Sequence, residues 1–578
     1  MVETIRDKLE QHLNQVLQSV SGEPDASANV IQASRPEFGD YQANGIMAVA
    51  KRLGQNPRVI AQQVIEQLPE QPYIQRLEVA GPGFINIFLA DTWLENQVTL
   101  LAHNPEKLIP QVEQALTIVV DYSSPNLAKE MHVGHLRGTI IGDSLVRILT
   151  AQGHHAVRQN HVGDWGTQFG MLIAYLEELE AESESLTAEL ADLEVFYRHA
   201  KERFDADPDF ASRARACVVK LQGGDDKTKL MWQRFIEESL HHCESVYAKL
   251  QVCIQRSDLK PESFYNNKLK GIVNTLDELN LLTTSAGARC VFLPEFTGKD
   301  GNPLPVIVQK SDGGYLYATT DLAAIEYRAK ELQADVILYV VDARQGLHFQ
   351  QVFSVARKAG FVTDDCELQH VSYGTMMGQD GKPFKTRSGG TVKLVELLDE
   401  SIRRAHDLVV SKNPDLESQT HEEIARVVGI GAVKYADLSK NRTSDYVFNW
   451  DSMLAFDGNT APYLLYAYTR IKSILKKQDD KAYILSNISI ENEAERALIV
   501  KILQLPEVLN IVSRDYYPSH LSTYLYELAS TFMRFYEFCP ILKAESQLRN
   551  SRLVLASITA ETLKRGLGLL GLETLQQM

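Results

Sequence analysis

Ile5, Leu9, Leu13 and Leu17 recur every four residues between charged and polar positions, a stripe that predicts an amphipathic helix over the opening twenty residues. The turn-rich stretch Arg35 to Gln42 follows, then a helical pattern from Met47 to Leu68. A Gly81-Pro82-Gly83 turn then feeds a strand from Phe84 to Leu89. This predicts a small α/β domain over residues 1–110 with no catalytic motif, bounded by the polar, Pro-containing stretch His103 to Gln111. Thr117 to Asp121 is a short β-branched run, followed by the turn Ser123 to Asn126 and a helix from about His132 to Leu149. Strand, loop and helix in that order open a nucleotide-binding α/β unit. Helical pattern continues from Met171 to Leu250, and strands return at Val306 to Gln309 and Val336 to Val341. Two strand halves separated by an insertion (about residues 176–300) predict a split Rossmann-like domain over 111–450. From Asp451 the apolar spacing is helical throughout, which predicts an all-α helix bundle over 451–578.

Composition narrows the class. The 578 residues suffice for several domains. With 44% apolar, 23% charged and 8% aromatic residues they match ordinary globular proteins and exclude disorder, collagen and coiled coil. The net charge of −16 argues against a generally basic, polyanion-binding surface, so DNA is not an expected partner. The acid is concentrated, however: residues 176–210 hold 12 Asp/Glu against 3 Lys/Arg, whereas 450–578 hold 14 of each. The acidic run reads as a solvated helix face, and the neutral C-terminal segment can approach a phosphate backbone. Six dispersed cysteines form no C-x-x-C knuckle and suit a reduced, cytoplasmic protein. No apolar run after the first helix suggests a signal peptide, and Val336 to Val341 is strand-sized, so no membrane association is expected.

The chemistry is concentrated at residues 121–149. His132-Val133-Gly134-His135 stands at a helix start just beyond a strand, where two imidazoles and helix N-terminal amides face one point that favours an anion. Gly134 leaves room for a flat ring such as adenine. Alone, H-x-G-H is a weak pattern, more often structural than functional; its place between strand and helix is what gives it weight. The whole segment Ser123-Ser124-Pro125-Asn126 through Lys129 to His135-Leu136-Arg137 resembles the signature of class I aminoacyl-tRNA synthetases, in the form found in bacterial arginyl-tRNA synthetases. Asn160 to Gly166, Tyr317 to Asp321, Arg344 to His348, Gly381 to Arg387, Ala461 to Tyr463 and the ending Leu570 to Met578 are similar to the same family. The likeness spans essentially the whole chain.

The resemblance implies ATP-dependent attachment of L-arginine to tRNA(Arg) through an arginyl-adenylate, with activation waiting for bound tRNA. ATP brings Mg²⁺, and no protein-held metal is expected: His154-His155 and His241-His242 lack ligand-spaced partners and read as surface histidines. A planar guanidinium is best read by carboxylates in bidentate geometry. Asp121 and Asp321 are the candidates, although an isolated Asp at such places is more often a cap. Tyr317, one helical turn before Asp321, would stack on the guanidinium, unless it is core. By resemblance Asn126 serves the α-amino and carboxyl end, and Gln345 a polar wall. His132 and His135 stabilise charge on the α-phosphate.

The family's lysine-rich second signature loop is absent in its usual form: Thr386-Arg387 leave Thr where a lysine is expected. Lys129 is the candidate replacement, with Lys382, Lys385 and Arg387 of the Gly-rich loop helping and Thr386 on ATP. Tyr463, Tyr466, Tyr536 and Met578 are the expected tRNA contacts, against the alternative that aromatics at helical spacing are core. The three-domain plan leans toward a monomer. Two rivals stand beside this reading: a nucleotidylyltransferase or a synthetase for another amino acid, and a tRNA-binding scaffold without catalysis.

Overall fold

A computed structural model describes residues 4–182, 193–299, 301–384, 392–478 and 486–578. They fall into two compact units. One comprises Met1–Gln114, Phe456–Leu569 and Glu573–Met578, the other Ala115–Ala455 with Leu570–Leu572.

In the first unit the opening helix, Ile5–Ser21, begins where Thr4 and Asp7 form a capping box and ends at Gly22 in the left-handed conformation. Its Leu9, Leu13 and Leu17 stripe is buried. It joins an antiparallel sheet of β1 (Val30–Gln32), β2 (Tyr41–Ala43), β3 (Ile74–Ala80) and β4 (Phe84–Leu89), in the order β1-β2-β4-β3. The C-terminal helices Ala461–Lys476, Glu493–Leu503, Leu505–Asp515, Ser519–Phe538 and Ser546–Leu569 complete this unit. Charged residues tie its two chain segments together. Arg496 holds both carboxylate oxygens of Asp40 at 2.7 and 2.8 Å and reaches Asp91 at 2.7 Å. Buried Glu507 accepts hydrogen bonds from the Tyr41 hydroxyl at 2.5 Å and from Gln32 at 3.1 Å. Sequence periodicity separates an N-terminal domain from a C-terminal one; these long-range pairs gather them into one compact unit.

The second unit is built on parallel strands. β5 (Thr117–Asp121) and β6 (His155–Gln159) precede the insertion. The insertion contributes the helices Thr167–Glu182, Leu193–Ala206, Pro208–Gln222, Asp226–Leu250 and Asn266–Glu278, then an antiparallel sheet of β7 (Leu282–Ser285), β8 (Ala288–Thr297) and β9 (Pro303–Gln309). β10 (Val336–Tyr339) and β11 (Glu367–His370) then complete a parallel sheet ordered β11-β10-β5-β6. The split sheet is as expected, but Val306 to Gln309 is not part of it. β9 buries alternate residues and carries Pro303 and Pro305, as suits an antiparallel strand with one open face, whereas β10 is buried throughout. Leu570–Leu572 also differs from expectation by packing in this second unit: Lys434 donates to the carbonyls of Leu250 at 2.7 Å and Gly571 at 2.6 Å.

The helix Leu136–Ala151 lies deep in the unit. Gly138 and Gly142 share one face, and a Cβ at Gly142 would lie 2.3 Å from a side-chain atom of Tyr122. Arg137, beside them, pairs with buried Asp437 at 3.0 Å and donates to the Ser444 carbonyl at 3.0 Å. Gly142→Ala is therefore expected to destabilise this unit by about 1 to 3 kcal/mol through overpacking, read as a lower urea midpoint; an unchanged midpoint would show that Tyr122 yields freely.

Candidate active site

β5 and β10 are neighbours whose following connections leave in opposite directions along the sheet, so a crevice opens at their carboxyl ends. The loop after β5 enters it under strain. Ser123 and Ser124 both have positive φ, +72° and +43°, unusual for residues other than glycine. Surrounding hydrogen bonds hold them there. The Ser124 amide donates to Asn160 Oδ1 at 2.9 Å, its hydroxyl to Asp121 Oδ1 at 2.9 Å, and Ser123 Oγ lies 2.8 Å from the Tyr247 hydroxyl. The loop after β6 runs alongside: the Leu127 amide donates to the Gly163 carbonyl at 2.9 Å and the Gly163 amide to Pro125 at 3.1 Å. Asn126 Oδ1 caps the Ala128 amide at 3.0 Å, and its Nδ2 lies where Gly163 leaves out a side chain.

His132 and His135 stand together, with ring centroids 4.0 Å apart. Each Nδ1 accepts a backbone amide, His132 from Gly134 at 3.0 Å and His135 from His132 at 3.1 Å. Neutral rings so arranged carry their proton on Nε2 and present an N–H donor. Both are held neutral. Burial, then the nearby charge of Lys129, lowers His132; burial, then His132, pushes His135 down to about 3. Gly134 is required for the pair itself, because a Cβ there would lie 2.8 Å from the His132 ring. Residues 392–394 pair with this turn: Val133 donates to the Val392 carbonyl at 3.1 Å, Leu394 to Met131 at 2.9 Å, and Lys393 reaches Glu130 at 3.2 Å. Lys129 is exposed, its ammonium 4.4 Å from the centre of the Tyr197 ring.

The two carboxylates expected to meet a guanidinium differ. Asp121 is already committed: Arg328, fully buried, donates to its Oδ2 at 2.8 Å and to Gln159 Oε1 at 2.7 Å. With Ser124 on its other oxygen, both carboxylate oxygens of Asp121 are bonded inside the protein and its charge is matched by Arg328. Asp321, on the Tyr317–Glu326 helix, meets His348 Nε2 at 2.6 Å. Tyr317 opens the same helix, 69% exposed.

Sequence reasoning missed Glu262. Its turn is held to the β6 loop by three backbone bonds: Asn160 to Asp258 at 2.9 Å, Lys260 to Asn160 at 3.0 Å and Glu262 to Val162 at 3.1 Å. Burial, then the charges of Asp164 and Asp321, pushes its carboxyl up to about 8. Asp164 is itself satisfied by the Ser263 amide at 2.9 Å and hydroxyl. Glu262 also acts on Tyr317, whose hydroxyl is raised by partial burial and then by that carboxylate. The only signal in the sequence was an acidic residue after Pro261 between helical runs, indistinguishable from a helix-start Glu.

Gln345 is exposed, after β10, at the start of the Gly346–Lys358 helix. Lys382 is exposed in a turn closed by the Gly378 amide on its carbonyl at 2.7 Å. Lys385, Thr386 and Arg387 lie outside the described residues. In the other unit, Arg470 lies 4.6 Å from the Tyr536 ring centre and donates to the Tyr466 hydroxyl at 2.6 Å, making a half-exposed aromatic–cation cluster. Tyr463 instead packs on Tyr526 and reaches Ser530 at 3.3 Å; Met578 is half-buried. Among the described residues no group of three or more His, Cys, Asp or Glu could hold a metal, and no helix is long and apolar enough to cross a membrane.

Three family models match in sequence: the arginyl tRNA synthetase N-terminal domain over residues 4–89, the class I (R) tRNA synthetase catalytic domain over 97–450 and the DALR anticodon binding domain over 464–578. The chain is 54% identical to an arginine–tRNA ligase of Marinomonas sp. over 99% of its length and 100% of that relative. It is 56% identical to one of Laribacter hongkongensis over 96% and 97%. Among solved structures it is similar to arginyl-tRNA synthetases of Plasmodium falciparum (TM-score 0.87, 31% identity) and Thermus thermophilus (0.84, 25%), each covering 100% of both chains.

Asp121→Asn leaves buried Arg328 without its counter-charge and is expected to destabilise the second unit by about 3 to 5 kcal/mol, measured by denaturant unfolding. An unchanged midpoint would contradict the committed pair.

Proposed function

The chain belongs to the class I arginyl-tRNA synthetases, and on that premise we propose that the crevice beyond β5 and β10 activates L-arginine and that the Tyr466–Arg470–Tyr536 cluster meets tRNA(Arg). The chain attaches arginine to tRNA: the arginine carboxylate attacks the α-phosphorus of ATP, pyrophosphate leaves, and the 2′-hydroxyl of the terminal adenosine then takes the arginyl group and releases AMP. Mg²⁺ enters with ATP, and the enzyme works as a cytoplasmic monomer.

The observation that carries this reading is Glu262 beside Asp321, a carboxyl whose charge is disfavoured by its partly buried place and by its acidic neighbours. A guanidinium supplies the matching cation, forked and always charged. Asp321 and Glu262 take its donors, Tyr317 lies on its face, Asn126 holds the α-amino and carboxyl end, and Gln345 forms a polar wall. His132 and His135 act as Nε2–H donors to the α-phosphate, polarising it without carrying charge themselves. Lys129 brings positive charge to this turn, Lys382, Lys385 and Arg387 are assigned as further cations for the phosphates, and Gly134 and Thr386 are assigned to the nucleotide. Catalysis is then positioning and electrostatics, with no covalent enzyme intermediate.

Arginine-dependent ATP–pyrophosphate exchange, with and without tRNA, tests the reading directly; exchange driven by another amino acid, or none, refutes it. Asp321→Asn and Glu262→Gln are each expected to raise the arginine KM about 100-fold, matching roughly 3 kcal/mol for an uncompensated buried charge. The ATP KM should stay within about threefold, and lysine should not be activated; an unchanged arginine KM would remove either residue from the pocket. Tyr536→Ala should raise the tRNA KM by the equivalent of about 1 to 3 kcal/mol, the worth of one stacked base. An equal rise for ATP would make Tyr536 core instead.

A further inference from the structure

The Asp226–Leu250 helix of the insertion brings one hydroxyl to the floor of the crevice. Tyr247, 6% exposed, receives a hydrogen bond from Asn160 Nδ2 at 3.0 Å and lies 2.8 Å from Ser123 Oγ. Ser123 Oγ in turn lies 3.0 Å from Thr139 Oγ1, which reaches the His135 carbonyl at 2.8 Å. The groups at the two ends of this series have fixed roles. Asn160 keeps Oδ1 on the Ser124 amide, so its Nδ2 faces Tyr247 and can only donate; the His135 carbonyl can only accept. The Thr139 hydroxyl donates to Ser123 Oγ and shares its proton with the His135 carbonyl, and the Ser123 and Tyr247 hydroxyls bond each other through either proton. Burial pushes the Tyr247 phenol well up, so it keeps its proton.

We propose that Tyr247 is a positioning residue for arginine activation, its hydroxyl locking the two loops beyond β5 and β6 to the backbone of His135. The inference rests on the reading of the crevice given above. Three members of the series sit where geometry is demanding: Ser123 at φ +72°, Asn160 at the loop that holds the Glu262 turn, and His135 in the imidazole pair. The Tyr247 ring borders a cleft of about 270 Å³ lined by Leu240, Cys243, Val252 and Ile254. Without the hydroxyl, Ser123 loses this partner, the two loops lose their shared anchor, and substrate still binds but in a poorer register with the histidines.

The test uses the full chain in arginine-dependent ATP–pyrophosphate exchange with tRNA present. Tyr247→Phe is expected to lower kcat at least tenfold while the KM values for arginine and ATP stay within threefold and the thermal midpoint within a few degrees. Thr139→Val, which cuts the series at its other end, should do the same, and Thr139→Ser should restore turnover. The double variant Tyr247→Phe/Thr139→Val should be no slower than the worse single one. Cys243→Ala, one helical turn before Tyr247 on the same cleft wall, should lower the midpoint without lowering kcat. Turnover within twofold of the parent in Tyr247→Phe or in Thr139→Val overturns the proposal, as do multiplying losses in the double variant or a matching kcat loss in Cys243→Ala. Should Tyr247→Phe fail to fold, the contrast between Thr139→Val and Thr139→Ser decides alone. A parent protein with no arginine-dependent exchange refutes the crevice reading instead, and is told apart on that ground.

Discussion

Two consecutive serines in left-handed backbone, at the carboxyl end of a central parallel strand, are the constraint around which the second unit is arranged. Each such residue is unfavourable by about 1 to 3 kcal/mol and persists only where its surroundings over-determine it. Here they do: Asp121 and Asn160 take the hydroxyl and amide of Ser124, and Tyr247 meets Ser123. Each of those partners comes from a different stretch of chain. The bonds that hold the serines therefore also bring the β6 loop and the helical insertion to one crevice, and with them the turn that carries Glu262.

Charge in this unit follows a simple division. Arg328 with Asp121 and Arg137 with Asp437 are buried as ion pairs, as charges in a protein interior must be. Glu262 is not, and burial beside Asp164 and Asp321 leaves it holding a proton near neutral pH. The histidines are neutral for the related reason that burial disfavours their charged form. On the proposed reading, a cationic substrate meets acid at its guanidinium end and uncharged N–H donors at its carboxyl end, so attraction at one end is not undone by misplaced charge at the other.

Much of this was legible in the residues. The leucine stripe of the first helix, the strand–turn–helix around His132 and the split of the sheet by an insertion are local patterns, and each appears as read. Asp321 and Tyr317 were placed from helical spacing and lie one turn apart at the start of their helix. What could not be read depends on contacts distant in sequence. Nothing near Asp121 marks Arg328, 207 residues on, as its partner. Nothing near Glu262 shows that its turn pairs with the β6 loop. Val306 to Gln309 reads as an apolar strand by itself, and only the paired register with β8 shows it to belong to a separate antiparallel sheet.

The proton on Glu262 offers the most direct test of the account. In the free protein this carboxyl is raised to about 8, so at pH 7 it is largely protonated. A guanidinium favours the carboxylate, so binding must lower that pKa and expel the proton; affinity rises with pH until about 8 and levels above it. Calorimetric titration of L-arginine at pH 7 in two buffers of different ionisation enthalpy counts the protons released. The account predicts close to one released per arginine bound, abolished in Glu262→Gln. Arginine binding with no proton released, or with the same release in Glu262→Gln, would contradict it.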